Sequence, residues 1–206
     1  MCHSVACWSK LATEAGVSAI DPRVLRSREA AVDAAITLLR RDGLGELTHV
    51  NIARESGVGR STLYRHWPTM IDLILDLLRE FRMPQFEPLD APVRERLRYN
   101  LYIQRSRLFD PEYLAVYSAV SHYAMEPRVQ DRLQAINGER VQSVAQALAP
   151  DYELEGRHDV VVELLALLNG PLLQMATFVG TTSPALIEAT LDGVMRYLDL
   201  RVAEQA

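Results

Sequence analysis

The chain has 206 residues, 49% of them apolar, enough for a substantial core in one large or two modest domains. Its 22 basic and 27 acidic residues leave a net charge of −5, which argues against a chain that grips nucleic acid along its whole length. Cys2 and Cys7 cannot staple a domain of this size, so a reducing compartment is the simpler reading. No signal peptide opens the chain, and no run approaches the roughly 18 apolar residues of a membrane span. The expectation is a cytoplasmic protein without a membrane partner.

Residues 1–22 read as an N-terminal arm. Lys10 to Ala15 suit a helical turn or two, and Gly16 and Asp21-Pro22 punctuate the stretch. An arm lying on DNA, an accessory helix and a leader from an early start codon fit it equally. Cys2, His3 and Cys7 match no common zinc spacing and lack a fourth ligand, so no metal is expected.

Residues 23–68 read as a small helical domain. Ser27 is expected to cap a helix to about Arg41, with Val32, Ala35, Ile36 and Leu39 on one apolar stripe. Gly43 and Gly45 end it. Thr48 then caps a short helix whose Ile52 and Ala53 face inward. Gly57 supplies a left-handed break. A second short helix, Gly59 to His66, turns Leu63 back toward Ile52 and Ala53, and Pro68 stops it. Two short helices on a tight glycine turn are a helix-turn-helix. Arg60, Ser61, Thr62, Tyr64, Arg65 and His66 carry donors and include no acid. From Pro22 to Pro68 eight arginines face five acids, a balance of +3, whereas from Thr69 onward thirteen basic residues face twenty acids, a balance of −7. The positive charge gathers around the element suited to read DNA.

Residues 69–206 read as a larger helical body. A helix runs from Thr69 to about Arg82, and Pro84, Pro88 and Pro92 mark a linker. The next helix, about Val93 to Phe109, buries Leu97, Leu101 and Leu108. Its arginines at 94, 96, 98, 105 and 107 read as a solvated face. Asp110-Pro111 and Glu126-Pro127 open two further helices, ending near Ala124 and Ala149. Aromatic and sulfur side chains gather here: Phe81, Tyr99, Tyr102, Tyr113, Tyr117, His122 and Met125. They suit an adaptable apolar pocket with polar tips, and ordinary core equally well.

The helix from about Arg157 to Val179 is apolar nearly all round, so one side is expected to meet its own body and the other a partner. Leu165, Leu168 and Leu172 are its candidates for that contact. Ser183-Pro184 opens the last helix, where Ile187, Leu191, Val194 and Leu198 follow coiled-coil-like spacing. Two such helices from each of two subunits would form a four-helix homodimer interface. No Ser-His-Asp order, phosphate-cradling glycine loop or paired carboxylate site stands out. No catalytic residue and no cofactor is expected.

The string T-x-x-x-I-A-x-x-x-G-V-x-x-x-T-L-Y-R-H-W, Thr48 to Trp67, resembles the DNA-binding signature of the TetR family of bacterial transcription regulators. The resemblance extends upstream through Arg28 to Gly43 and covers the length and the helical remainder. It implies an all-α fold, with a three-helix N-terminal helix-turn-helix head and a larger helical body for ligand binding and dimerisation. It implies a dimer on a palindromic double-stranded DNA operator, most often a repressor, released by a small apolar or amphipathic effector. Thr48, Gly59, Arg60, Ser61, Thr62, Tyr64, Arg65 and His66 would then form the DNA contact, with Arg60 at a base edge and Thr48, Tyr64 and His66 at phosphates. The family usually carries a phosphate-gripping lysine where this chain has Met70. A regulator without a ligand, binding DNA constitutively, is the alternative reading, and an all-α enzyme or carrier is a remote one.

Overall fold

The computed structural model describes residues 21–203, with side chains to Arg201. Cys2, His3, Cys7 and the segment from Lys10 to Ala15 lie outside the described residues. Those described are helical, joined by loops and one 3-10 turn, and fall into two compact units that divide after Met70.

In the first unit, helix α1 spans Pro22–Arg41. Its cap is Asp21, whose carboxylate accepts from the Arg23 amide at 2.9 Å, and Pro22 takes the first position, where a missing N–H costs nothing. The expected start at Ser27 is therefore corrected. Ser27 lies a turn inside the helix and donates back to the Arg23 carbonyl. Ala31, Val32, Ala35, Leu38 and Leu39 form the buried stripe. Gly43 (φ 81°) turns the chain into the 3-10 turn Leu44–Glu46, and α2 (His49–Ser56) and α3 (Arg60–His66) follow.

The second unit holds α4 (Met70–Glu80), an extended strap over residues 81–92, α5 (Val93–Leu108), α6 (Pro111–His122), α7 (Pro127–Leu148), α8 (His158–Phe178) and α9 (Pro184–Ala203). Asp110 and Glu126 cap α6 and α7, each followed by proline. Helix α5 lies centrally, packed on α6, α7, α8 and α9, while α8 packs on α5, α7 and α9.

One side of α5 is polar and buried. Asn100 accepts from the Glu87 amide at 2.7 Å and donates to the Glu87 carbonyl at 3.0 Å. Arg96 donates to the Leu89 and Ala91 carbonyls and pairs with Asp151, and Gln104 donates to the Pro84 carbonyl at 2.8 Å. Ser143 on α7 accepts from the Phe86 amide at 3.1 Å. A strap without secondary structure of its own must find partners for its backbone, and these side chains supply them. The reading of the arginine run as a solvated face is corrected accordingly. Arg96 is only 4% exposed, and Arg94 and Arg98 both grip Glu188 on α9. Those two guanidiniums hold the Glu188 carboxyl down at about 2.

The candidate dimer residues lie in the interior of the single chain. Leu165, Leu168, Leu172, Ile187, Leu191, Val194 and Leu198 are all at most 5% exposed within the single chain. The seam they form lies between α8, α9 and α5, and Val194 also edges the outer groove of α8 and α9. What stays outside is the opposite side of the same two helices, with Leu167 and Leu200 exposed and a shallow groove running past Pro171, Ala189, Gly193 and Tyr197. Helix α8 also contains a window of mean hydropathy 1.5, long and apolar enough by length and composition to cross a membrane. That corrects the reading that no run approaches such a length. Packed on three helices, α8 spends much of its apolar surface in the core of this body.

Candidate nucleic-acid interface and ligand cavity

The head is assembled by short-range bonds. Thr48 takes extended backbone angles, and its hydroxyl accepts from the Asn51 amide at 3.2 Å, capping α2. Asn51 ties the 3-10 turn to α2 by donating to the Glu46 carbonyl and carboxylate at 2.9 and 2.8 Å. Gly57 sits at φ 71°, where a side chain would be strained, and closes α2 onto Ala53. Ser56 staples the turn, donating to the Ile52 carbonyl and accepting from the Val58 amide. A two-point pair between Arg41 and Glu55, at 3.1 and 3.0 Å, joins the end of α1 to α2.

Helix α3 is seven residues long, too short to stand alone. Fully buried Leu63 and nearly buried Trp67 anchor it. Gly59 is its cap residue, with extended backbone angles and no side chain beyond. Arg60, Ser61, Tyr64 and Arg65 stand in solvent, with Thr62 and His66 partly covered. Among the described residues neither Arg60 nor Arg65 has an ion-pair partner, so both guanidiniums are available.

His49 is the residue sequence reasoning missed. It is buried, its Nε2 lies 2.7 Å from the Trp67 carbonyl, and its ring stacks on Tyr64 at 4.2 Å. One imidazole thus closes the carboxyl end of α3 and backs the exposed tyrosine. Its position right after the cap was the only signal.

A second feature lies within the body. Helices α4 to α8 enclose a cavity of about 370 Å³, within the range of small-molecule sites. Phe81, Tyr113 and Tyr117 line it, beside Leu78, Val116 and Ile136. The other aromatic and sulfur candidates do not reach it. Tyr99 and Tyr102 leave α5 on the outside, because its inner positions belong to Leu97, Asn100, Leu101 and Gln104; the Tyr99 hydroxyl reaches Glu87 instead. His122 ends α6 exposed and edge-on to Tyr123, and Met125, in the turn that follows, is 85% exposed.

The polar wall of the cavity was not read from the sequence. Arg140 enters from α7 and donates to Gln104 at 3.1 Å and Asn169 at 3.2 Å. Burial pushes its pKa down from the usual guanidinium range. Burial likewise pushes the Tyr113 phenol up to about 12, against the pull of Arg140 and Arg107. At neutral pH the wall therefore holds a neutral phenol and a cation. Arg107 lies over the rings of Phe81 and Tyr113 at 5.1 and 5.0 Å. A signal for Arg140 did exist, since it occupies the apolar stripe of α7 between Ile136 and Val144.

Residues 31–77 match the model of a family described as bacterial regulatory proteins, tetR family. No curated protein matches the chain. Among solved structures, a TetR family transcriptional regulator from Pseudomonas syringae pv. tomato is 23% identical, with TM-score 0.61, over 83% of this chain and 95% of that one. The multidrug binding protein EbrR, complexed with imidazole, is 20% identical, with TM-score 0.64, over 86% and 91%. A TetR regulator from Agrobacterium tumefaciens is 17% identical, with TM-score 0.63, over 84% and 93%. At these identities the likeness speaks for the fold, while the family match falls on the capped head just described. The head thus matches the tetR family model over residues 31–77, and the chain shares the fold of solved TetR-type regulators.

Proposed function

We propose that this regulator is a ligand-responsive repressor that binds a palindromic operator as a homodimer and leaves it when a small amphipathic effector binds. In this reading residues 23–68 are the DNA-binding domain and 69–206 the ligand-binding and dimerisation domain. The observation that carries it is α3, a short helix on a rigid, capped turn whose solvent side carries Arg60, Ser61, Tyr64 and Arg65 and no acid. Such a helix suits the major groove, where a guanidinium can pair bidentately with guanine. Thr48, Tyr64 and His66 would position it on phosphates. The head's charge balance is only modestly positive, so a second copy would double the phosphate contacts.

For the dimer, the supporting feature is the outer apolar side of α8 and α9, with Leu167, Gly193 and Leu200. Among the described residues, nothing beyond its chain neighbours and its own helix backbone lies within 4 Å of a Cβ built at Gly193. Gly193→Arg should therefore leave the monomer folded and break the dimer in sedimentation. An intact dimer would place the interface elsewhere. For the effector, the cavity of about 370 Å³ supports the reading, as does a neighbour in the same fold described as a multidrug binding protein. Release requires the effector to prefer the state that does not bind DNA.

Operator selection from random DNA tests the whole reading. The expected result is a two-fold symmetric site with half-sites about one helical turn apart. Recovery of no preferred sequence would sink it.

A further inference from the structure

Arg140 stands apart from the other cations at the cavity. Arg82 pairs with Glu139 at 2.8 Å, and Arg107 has Asp110 at 3.4 Å. Arg140 has two neutral amide oxygens, from Gln104 and Asn169, and its Nε is buried without a hydrogen-bond partner. Among the described residues no carboxylate lines the cavity and none pairs with Arg140. A guanidinium only partly open to water and without a counter-charge is costly, and proteins seldom retain one idle. The rest of the wall is apolar or aromatic, with Leu78, Phe81, Val116, Val120, Ile136 and Leu173.

We infer that the effector is an amphipathic anion, a carboxylate on an apolar body, whose head pairs with Arg140 while its body lies among the aliphatic and aromatic side chains of α4, α6 and α7. This deepens the effector reading above and rests on it. A carboxylate supplies the two parallel acceptors that a guanidinium fork presents donors for. Gln104 and Asn169 hold the fork by acceptor oxygens and keep it extended toward the cavity. An alcohol would leave the charge uncompensated, and an ammonium would add a second like charge beside it.

The test compares heads on a constant body. Isothermal titration calorimetry on the full chain uses 4-phenylbutyrate, 4-phenylbutanol and 4-phenylbutylammonium, then decanoate, decanol and decylammonium. The carboxylate of at least one series should bind about ten-fold or more tightly than its alcohol and its ammonium, on the scale of a charge-assisted pair. Arg140→Met should erase that preference, and Arg140→Lys, which keeps the charge but not the fork, should retain part of it. Equal or tighter binding of the alcohol or ammonium in both series overturns the inference. So does a carboxylate preference that survives in Arg140→Met, and so does the failure of all six compounds to bind. Operator affinity is measured separately with the bound carboxylate. Arg140-dependent binding that leaves operator affinity unchanged upholds the anion site and sinks the ligand-released repressor.

Discussion

Helices α3 and α5 use similar side chains for opposite ends. On α3, Arg60, Ser61 and Arg65 face water and hold nothing among the described residues. On α5, Arg96, Asn100 and Gln104 face inward, and each holds backbone of the strap at 81–92. Residue type did not decide this; what lies opposite did. A polar side chain facing water costs almost nothing and stays free for a partner. Facing an unpaired backbone it becomes structural, because buried amides and carbonyls need partners. One set of residues should therefore break binding when removed, and the other should break the fold.

The largest effect should come from Asn100→Leu. It leaves the Glu87 amide unpaired and strips one of two donors from the Glu87 carbonyl, which the Leu89 amide still serves, and should cost about 2–3 kcal/mol of stability in urea unfolding. A loss below about 1 kcal/mol would mean that water serves the strap as well as Asn100 does. Arg60→Ala should do the reverse. It should weaken operator binding by roughly 1–3 kcal/mol and leave the unfolding midpoint in place. Equal loss on operator and random DNA would assign Arg60 to phosphate.

His49→Phe sits between the two classes. It preserves a ring against Tyr64 but removes the bond to the Trp67 carbonyl. About 1 kcal/mol of head stability should go, with a smaller loss of operator affinity than Tyr64→Ala causes. If operator affinity falls as far as in Tyr64→Ala, the ring acts on DNA directly and not by backing Tyr64.

The smallest effect belongs to Glu188, which is exposed and held at about 2 by Arg98 and Arg94. A carboxylate with a depressed pKa stabilises the fold fully above its ordinary value of 4.5, and that contribution is lost as pH falls toward about 2. Wild type and Glu188→Gln should therefore converge in stability across that window. A constant difference down to the lower end would assign the effect of Glu188 to packing.

The comparison of α3 with α5 also marks what could be read in the chain itself. Thr48, Gly57, Asp110-Pro111, Glu126-Pro127 and Ser183-Pro184 act on their immediate neighbours, so the helix ends they set were legible. Ser27 failed because Asp21, followed by Pro22, offered a better cap six residues earlier. The seam of Ile187, Leu191, Val194 and Leu198 was legible as a buried face, but spacing says nothing about whose chain buries it. Arg96 and Arg140 were missed for one reason. Each is a charged residue on an inner position, and the groups that justify it there arrive from other helices or from the strap.

The strap leaves one mark that needs no mutation. It has no regular secondary structure, yet its Phe86 and Glu87 amides donate to buried Ser143 and Asn100. Labile protons reach solvent only when such bonds open, and these open only with the packing of α5 and α7 around them. In deuterated water these two sites should trade their protons as slowly as the middle of a helix. A sequence that looks like a linker would then register as part of the slowest-opening core.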